Sequence, residues 1–113
     1  MIDDIITLLK AANKRWGKRV FRDYPDNFTT LPVVAVSLLA MPDVSSGDDR
    51  GQEFFEKTIS IDIWTKDGVE DLMENLQDVM YGYSNTVYQT TAREFKEGDL
   101  YHLSIEYKLY GGN

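Results

Sequence analysis

The sequence predicts an α+β domain, an antiparallel sheet of about four strands with two helices packed on one of its faces. Three patterns carry that reading. Gln52 to Lys66 alternates almost strictly, with Phe55, Lys57, Ile59, Ile61 and Ile63 set against Glu56, Thr58, Ser60, Asp62 and Trp64. That is the period of a strand with one buried face, and its length places it near the centre of a sheet. Ile2 to Trp16 and Gly68 to Tyr81 instead space their apolar residues by three and four, as amphipathic helices do. The order helix, strands, helix, strands then gives every apolar stripe a sheet face to cover. A chain of 113 residues is one domain, 1–113, with a single core.

In the first helix the stripe is Ile2, Ile5, Ile6, Leu9, Ala12 and Trp16, with Asn13 as its one polar member. Asp3 and Asp4 at the start and Lys10, Lys14 and Arg15 towards the end suit the helix dipole, and Gly17 is a stop. Lys18, Arg19 and Arg22 extend the basic run, so six of the twelve Lys and Arg lie between Lys10 and Arg22. The cluster reads either as a patch for a polyanion or acidic partner, or as dipole matching on a solvated face.

Val20 and Phe21 suggest a short strand, and Tyr24-Pro25-Asp26-Asn27-Phe28 a turn. Pro32 opens an apolar strand, Val33 to Ala40, suited to an interior position. Pro42 to Gly51 is rich in Ser, Gly and Asp and reads as an acidic loop between strands.

Asp67 is placed to N-cap the second helix, with Glu70 in capping-box spacing. That helix buries Val69, Leu72, Met73, Leu76, Val79 and Met80 and turns Glu70, Asp71, Glu74, Gln77 and Asp78 outward; Gly82 and Ser84-Asn85 end it. Thr86 to Phe95 reads as a strand near an edge, Lys96 to Asp99 as a four-residue hairpin turn, and Tyr101 to Tyr110 as a cleanly alternating last strand.

Composition excludes several chemistries. The net charge of -7 disfavours binding nucleic acid by phosphate neutralisation. The absence of cysteine removes disulfides, thiolate nucleophiles and zinc-thiolate sites. An acidic start, Met1-Ile2-Asp3-Asp4, argues against a signal peptide. The longest apolar run, Leu31 to Met41, is interrupted by Pro32 and Ser37 and is too short for a membrane span. The expectation is a soluble protein made in the cytoplasm.

The one histidine, His102, falls on the polar side of a strand without an identifiable catalytic partner. Asp43, Asp48 and Asp49 match no calcium-loop spacing, and the carboxylates of the second helix read as its wet face. There is no Gly-rich phosphate loop and no nucleophile elbow. The expectation is therefore no enzyme, no cofactor and no metal. Aromatics remain to be explained. Phe54, Trp64 and Tyr110 lie opposite in parity to the buried positions of their strands, and Tyr88 and Tyr83 join them as candidates for exposure. Large aromatics on an outer sheet face mark a subunit interface, unless sheet twist or a loop covers them.

Four stretches together resemble the tail-completion proteins (tail-terminator, or tail-to-head joining, proteins) of long-tailed phages and prophages. They are the N-terminal helix leading to Tyr24-Pro25, the apolar strand opened by Leu31-Pro32, the long strand ending Ile59-Ser60-Ile61-Asp62-Ile63-Trp64-Thr65-Lys66, and the acidic helix followed by two strands, the last rich in Tyr. The resemblance covers nearly the whole chain. It implies a structural virion protein at the tail–head junction, assembled in the host cytoplasm as a ring of identical subunits, six in the family. Such a ring caps the finished tail tube and presents a surface to the head connector, with DNA passing through. On that reading Phe54, Trp64, Tyr88 and Tyr110 pack between subunits, and the loop carrying Asp43, Asp48, Asp49 and Arg50 meets the tube or the connector. Another neck component, such as a head-closure protein or connector adaptor, and a non-viral α+β binding module are the alternative readings.

Overall fold

The computed structural model describes residues 2–23, 30–40, 55–83 and 87–111. Helix α1 (Ile2–Ala12) leads through a turn to β1 (Val20–Arg22), followed by β2 (Val33–Ala40), β3 (Phe55–Thr65), α2 (Val69–Tyr83), β4 (Val87–Glu97) and β5 (Leu100–Gly111). The strands form one sheet in the order β1-β2-β3-β5-β4. The long alternating strand is thus its middle member, as its pattern demands.

The α+β class holds, but among the described residues the sheet has five strands and is mixed. β1 runs parallel to β2, while the other neighbours are antiparallel. The added strand is Val20–Arg22, and its parallel neighbour begins at Val33.

Both helices lie on the same face. α1 covers β1 and β2, and α2 covers β4 and β5. Ile5, Leu9, Leu72, Leu76 and Met80 from the helices meet Ile59, Ile61 and Ile63 of β3 and Leu103, Ile105 and Tyr107 of β5, all fully buried. Each such side chain is worth about 1.5–3 kcal/mol of transfer free energy, so this layer dominates stability.

α1 stops at Ala12 rather than Trp16. The Asn13 side chain accepts a hydrogen bond from the Arg15 amide at 2.8 Å, the local competition by which Asn ends helices. Trp16 is still fully buried, and its indole N–H donates to the Leu9 carbonyl.

The start of α2 is built differently from the expected cap. The Asp67 carboxylate pairs with the Arg15 guanidinium and ties the end of the first helical segment to the second helix. Gly68 sits at φ +69, and a Cβ there would lie 1.9 Å from Arg15 Nη1, so only glycine lets the guanidinium in.

α2 runs through Gly82 to Tyr83. The turn between β4 and β5 is two residues, Gly98-Asp99, rather than four, since Glu97 already pairs with Leu100. Gly98 at φ +64 supplies the positive dihedral that the first position of such a tight turn needs.

Candidate assembly surface

The face of the sheet away from the helices carries the other parity of each strand. Its residues fall in rows across β3, β5 and β4 fixed by the register: Trp64–His102–Phe95, Asp62–Ser104–Arg93, Ser60–Glu106–Thr91 and Thr58–Lys108–Tyr88. Aromatic groups therefore occupy the two ends of this face, with a polar band between them.

At one end, Trp64 and His102 stack with ring centroids 4.5 Å apart and planes 15° apart. Phe95 lies 5.7 Å from the same imidazole. Val33 and Ala35 of β2 pack with Trp64 in a small apolar cluster that Leu31 and Leu100 border. Beneath the imidazole, His102 Nε2 donates to Asp62 Oδ1 at 2.8 Å, the tautomer that a carboxylate acceptor requires. The Ser60 hydroxyl donates to the other oxygen, Asp62 Oδ2, at 3.0 Å.

Asp62 is 2% exposed, so both bonds are made away from water and bind it firmly. Ser60, Asp62 and His102 do not make a catalytic chain, because the hydroxyl donates to the carboxylate and not to the imidazole. The arrangement holds one ring in place. At the other end, Tyr88 and Tyr110 meet edge to face at 5.6 Å, with Tyr88 55% exposed.

The surface beside the sheet is divided by charge. α2 carries Glu70, Asp71, Glu74 and Asp78, all exposed, and contains no basic residue. At the α1–β1 side, Lys10, Lys14, Lys18 and Arg22 are exposed, with Arg22 3.7 Å from Asp3. A cleft of about 520 Å³ opens at the start of α2 between Asp67, Glu70, Asp71, Glu94 and Tyr101. Its carboxylates all line an open rim, and among the described residues no group of three or more His, Cys, Asp or Glu is placed to hold a metal. Also among the described residues, no helix is long and apolar enough to cross a membrane.

Of the residues singled out in the sequence, the structure brings Tyr88 and Tyr110 together on the second face and exposes Tyr88. Tyr110 is half-buried there, and so is Tyr83 at the end of α2. Trp64 is on the same face but only 6% exposed, packed within its own chain. Phe54, Asp43, Asp48, Asp49 and Arg50 lie outside the described residues.

Sequence reasoning missed the link from Asp62 to His102 and the place of Phe95 beside it. The signal available was a lone Asp in the middle of a central strand, which calls for a partner wherever that strand is covered on both faces.

No family model and no curated protein sequence matches the chain. Among solved structures, the fold is similar to a chain from the virion of a native gene transfer agent particle, with a TM-score of 0.67. The likeness spans 96% of this chain and 92% of that one at 15% sequence identity, and is a likeness of fold.

Proposed function

We propose that this chain is a structural virion assembly protein that closes into a six-membered ring, caps the finished tail tube and joins the tail to the head connector. The observation that carries the reading is the fold it shares, over nearly the full length of both chains, with a component of a gene transfer agent virion. The sequence resemblance to tail-completion proteins points the same way.

The division of charge suits head-to-tail packing. The acidic α2 lies over β4 and β5, and the basic cluster lies by α1 and β1 towards the opposite edge of the sheet. A ring brings the first surface of one subunit against the second surface of the next, and opposite charges there select that orientation. Tyr88 and Tyr110, with Phe54, contribute aromatic area to the contact, while Trp64 holds the second face in shape from within. The segment with Asp43, Asp48, Asp49 and Arg50 makes the axial contact with tube or connector. The role needs no catalytic group, cofactor or metal.

The reading is tested by adding purified protein to growing tail tubes and imaging them by electron microscopy. Tubes that stop elongating and carry a ring of density at one end are expected. Tubes that elongate undisturbed, with the protein bound to heads alone, would instead mean a connector adaptor. Protein bound to neither would return the chain to the class of small binding modules. Charge reversal at Asp48, Asp49 and Arg50 is expected to abolish joining; intact joining would remove that segment from the axial contact.

A further inference from the structure

Among the described residues β4 is the last strand of the sheet on its side, and α2 packs on its beginning. Val87 is buried and Gln89 is hydrogen-bonded to Gln77 of the helix at 2.9 Å. From Ala92 to Glu97 every residue is exposed. Among the described residues the strand therefore has no neighbour on its outer backbone edge, a template for pairing with another strand.

The side chains along that segment, Ala92-Arg93-Glu94-Phe95-Lys96-Glu97, are complementary to themselves. In an antiparallel pair with a two-fold axis through Phe95, Arg93 stands opposite Glu97 of a second copy and Glu94 opposite Lys96. Phe95 meets its own counterpart. All charged pairs have opposite sign, and by symmetry each occurs twice. Moving the axis one residue either way sets Glu94 against itself or Lys96 against itself, so the charges select one register. Phe95, 42% exposed beside His102, gains apolar cover in that register and no other.

We propose that two copies of this chain associate through β4 in this register, extending the two sheets into one of ten strands. The contact is closed by two copies, unlike the head-to-tail contact of a ring, and does not depend on the ring reading. It provides a resting form in which the free protein covers its exposed edge.

Sedimentation equilibrium over a wide concentration range tests the proposal, with circular dichroism to verify folding of each variant. The wild-type protein is expected to pass from monomer to dimer as concentration rises. Arg93→Glu places like charges opposite each other twice and is expected to weaken the dimer by roughly tenfold or more. The double variant Arg93→Glu/Glu97→Arg is expected to restore it.

Because the chain has no cysteine, Phe95→Cys offers a direct check. Residues on the axis have Cα atoms about 4.5–5.5 Å apart, within disulfide reach, so this variant is expected to cross-link on oxidation. Thr91→Cys, whose two copies would lie about 26 Å apart, is expected to remain uncross-linked. A protein that is monomeric at all concentrations would overturn the proposal and leave the charges as guards against edge pairing. A dimer that the charge swap does not restore, or a six-fold species insensitive to Arg93→Glu, would overturn it in favour of another surface.

Discussion

On the helix-covered face of the sheet, Ile59, Ile61 and Ile63 of β3 meet apolar side chains from both helices and from β5. On the other face, the intervening residues of the same strand, Ser60, Asp62 and Trp64, are nearly as buried but are held by hydrogen bonds and stacked rings. Alternation in a strand decides which face a side chain joins; it does not decide whether that face is wet. The first face is non-directional and depends on volume, while the second depends on each polar atom keeping its partner.

Truncations on the two faces give the largest expected effects and test whether both are packed layers. Ile61→Ala leaves a cavity in the helix-covered core and is expected to cost about 3 kcal/mol or more in urea unfolding. Trp64→Ala is expected to cost about as much, because the indole is packed on His102 and Val33 within the chain. A loss below about 0.5 kcal/mol for Trp64→Ala, accompanied by loss of assembly, would make it a surface contact and dissolve the comparison.

The polar half of the second face is probed by Asp62→Ala, which strands the Ser60 hydroxyl and the His102 N–H. About 1–3 kcal/mol is expected. A double-mutant cycle with His102→Ala should return a clear coupling between the two residues, and additive losses would mean that the bond contributes nothing.

A smaller effect comes from a polar atom on the apolar face. The Tyr107 hydroxyl is buried and, among the described residues, has no hydrogen-bond partner. Burial first, and then the neighbouring Tyr81, hold its pKa well above the usual tyrosine value. The unfolded phenol ionises near pH 10, before the folded one, so the unfolded state releases its proton first. The stability linked to this group is therefore full below about pH 10 and falls as pH rises beyond it. Tyr107→Phe is expected to change stability at neutral pH by about 1 kcal/mol or less, with either sign, and to flatten the alkaline decline seen in urea titrations. An unchanged alkaline slope would show that Tyr107 is not its source.

The smallest effect is Tyr88→Ser on the exposed end of the second face, expected within about 0.5 kcal/mol of wild type in stability. Its consequence should appear in ring formation instead, read as a loss of the six-fold species by sedimentation.

What was legible in the sequence follows the same division. The two helical stripes, the apolar run of β2 and the alternation of β3 and β5 were readable because side-chain type alone marks each as helix or strand. The parallel pairing of β1 was not, since the three residues Val20–Arg22 carry no register. Nor was the early end of α1, which turns on one side-chain bond from Asn13. The exposure of Tyr88 could be anticipated from the polar character of its strand. The burial of Trp64 and the bond between Asp62 and His102 could not, because they rest on how strands forty residues apart in sequence are aligned.

The proposed role itself is tested most directly by the tail-length distribution, measured by electron microscopy, in lysates of the phage or particle-producing strain with a stop codon in this gene. The account predicts overlong tails of scattered length, unattached to heads, because nothing halts the tube. Tails of normal length beside full, unjoined heads would contradict termination and move the protein to a later neck step, and intact infectious particles would contradict any role in assembly.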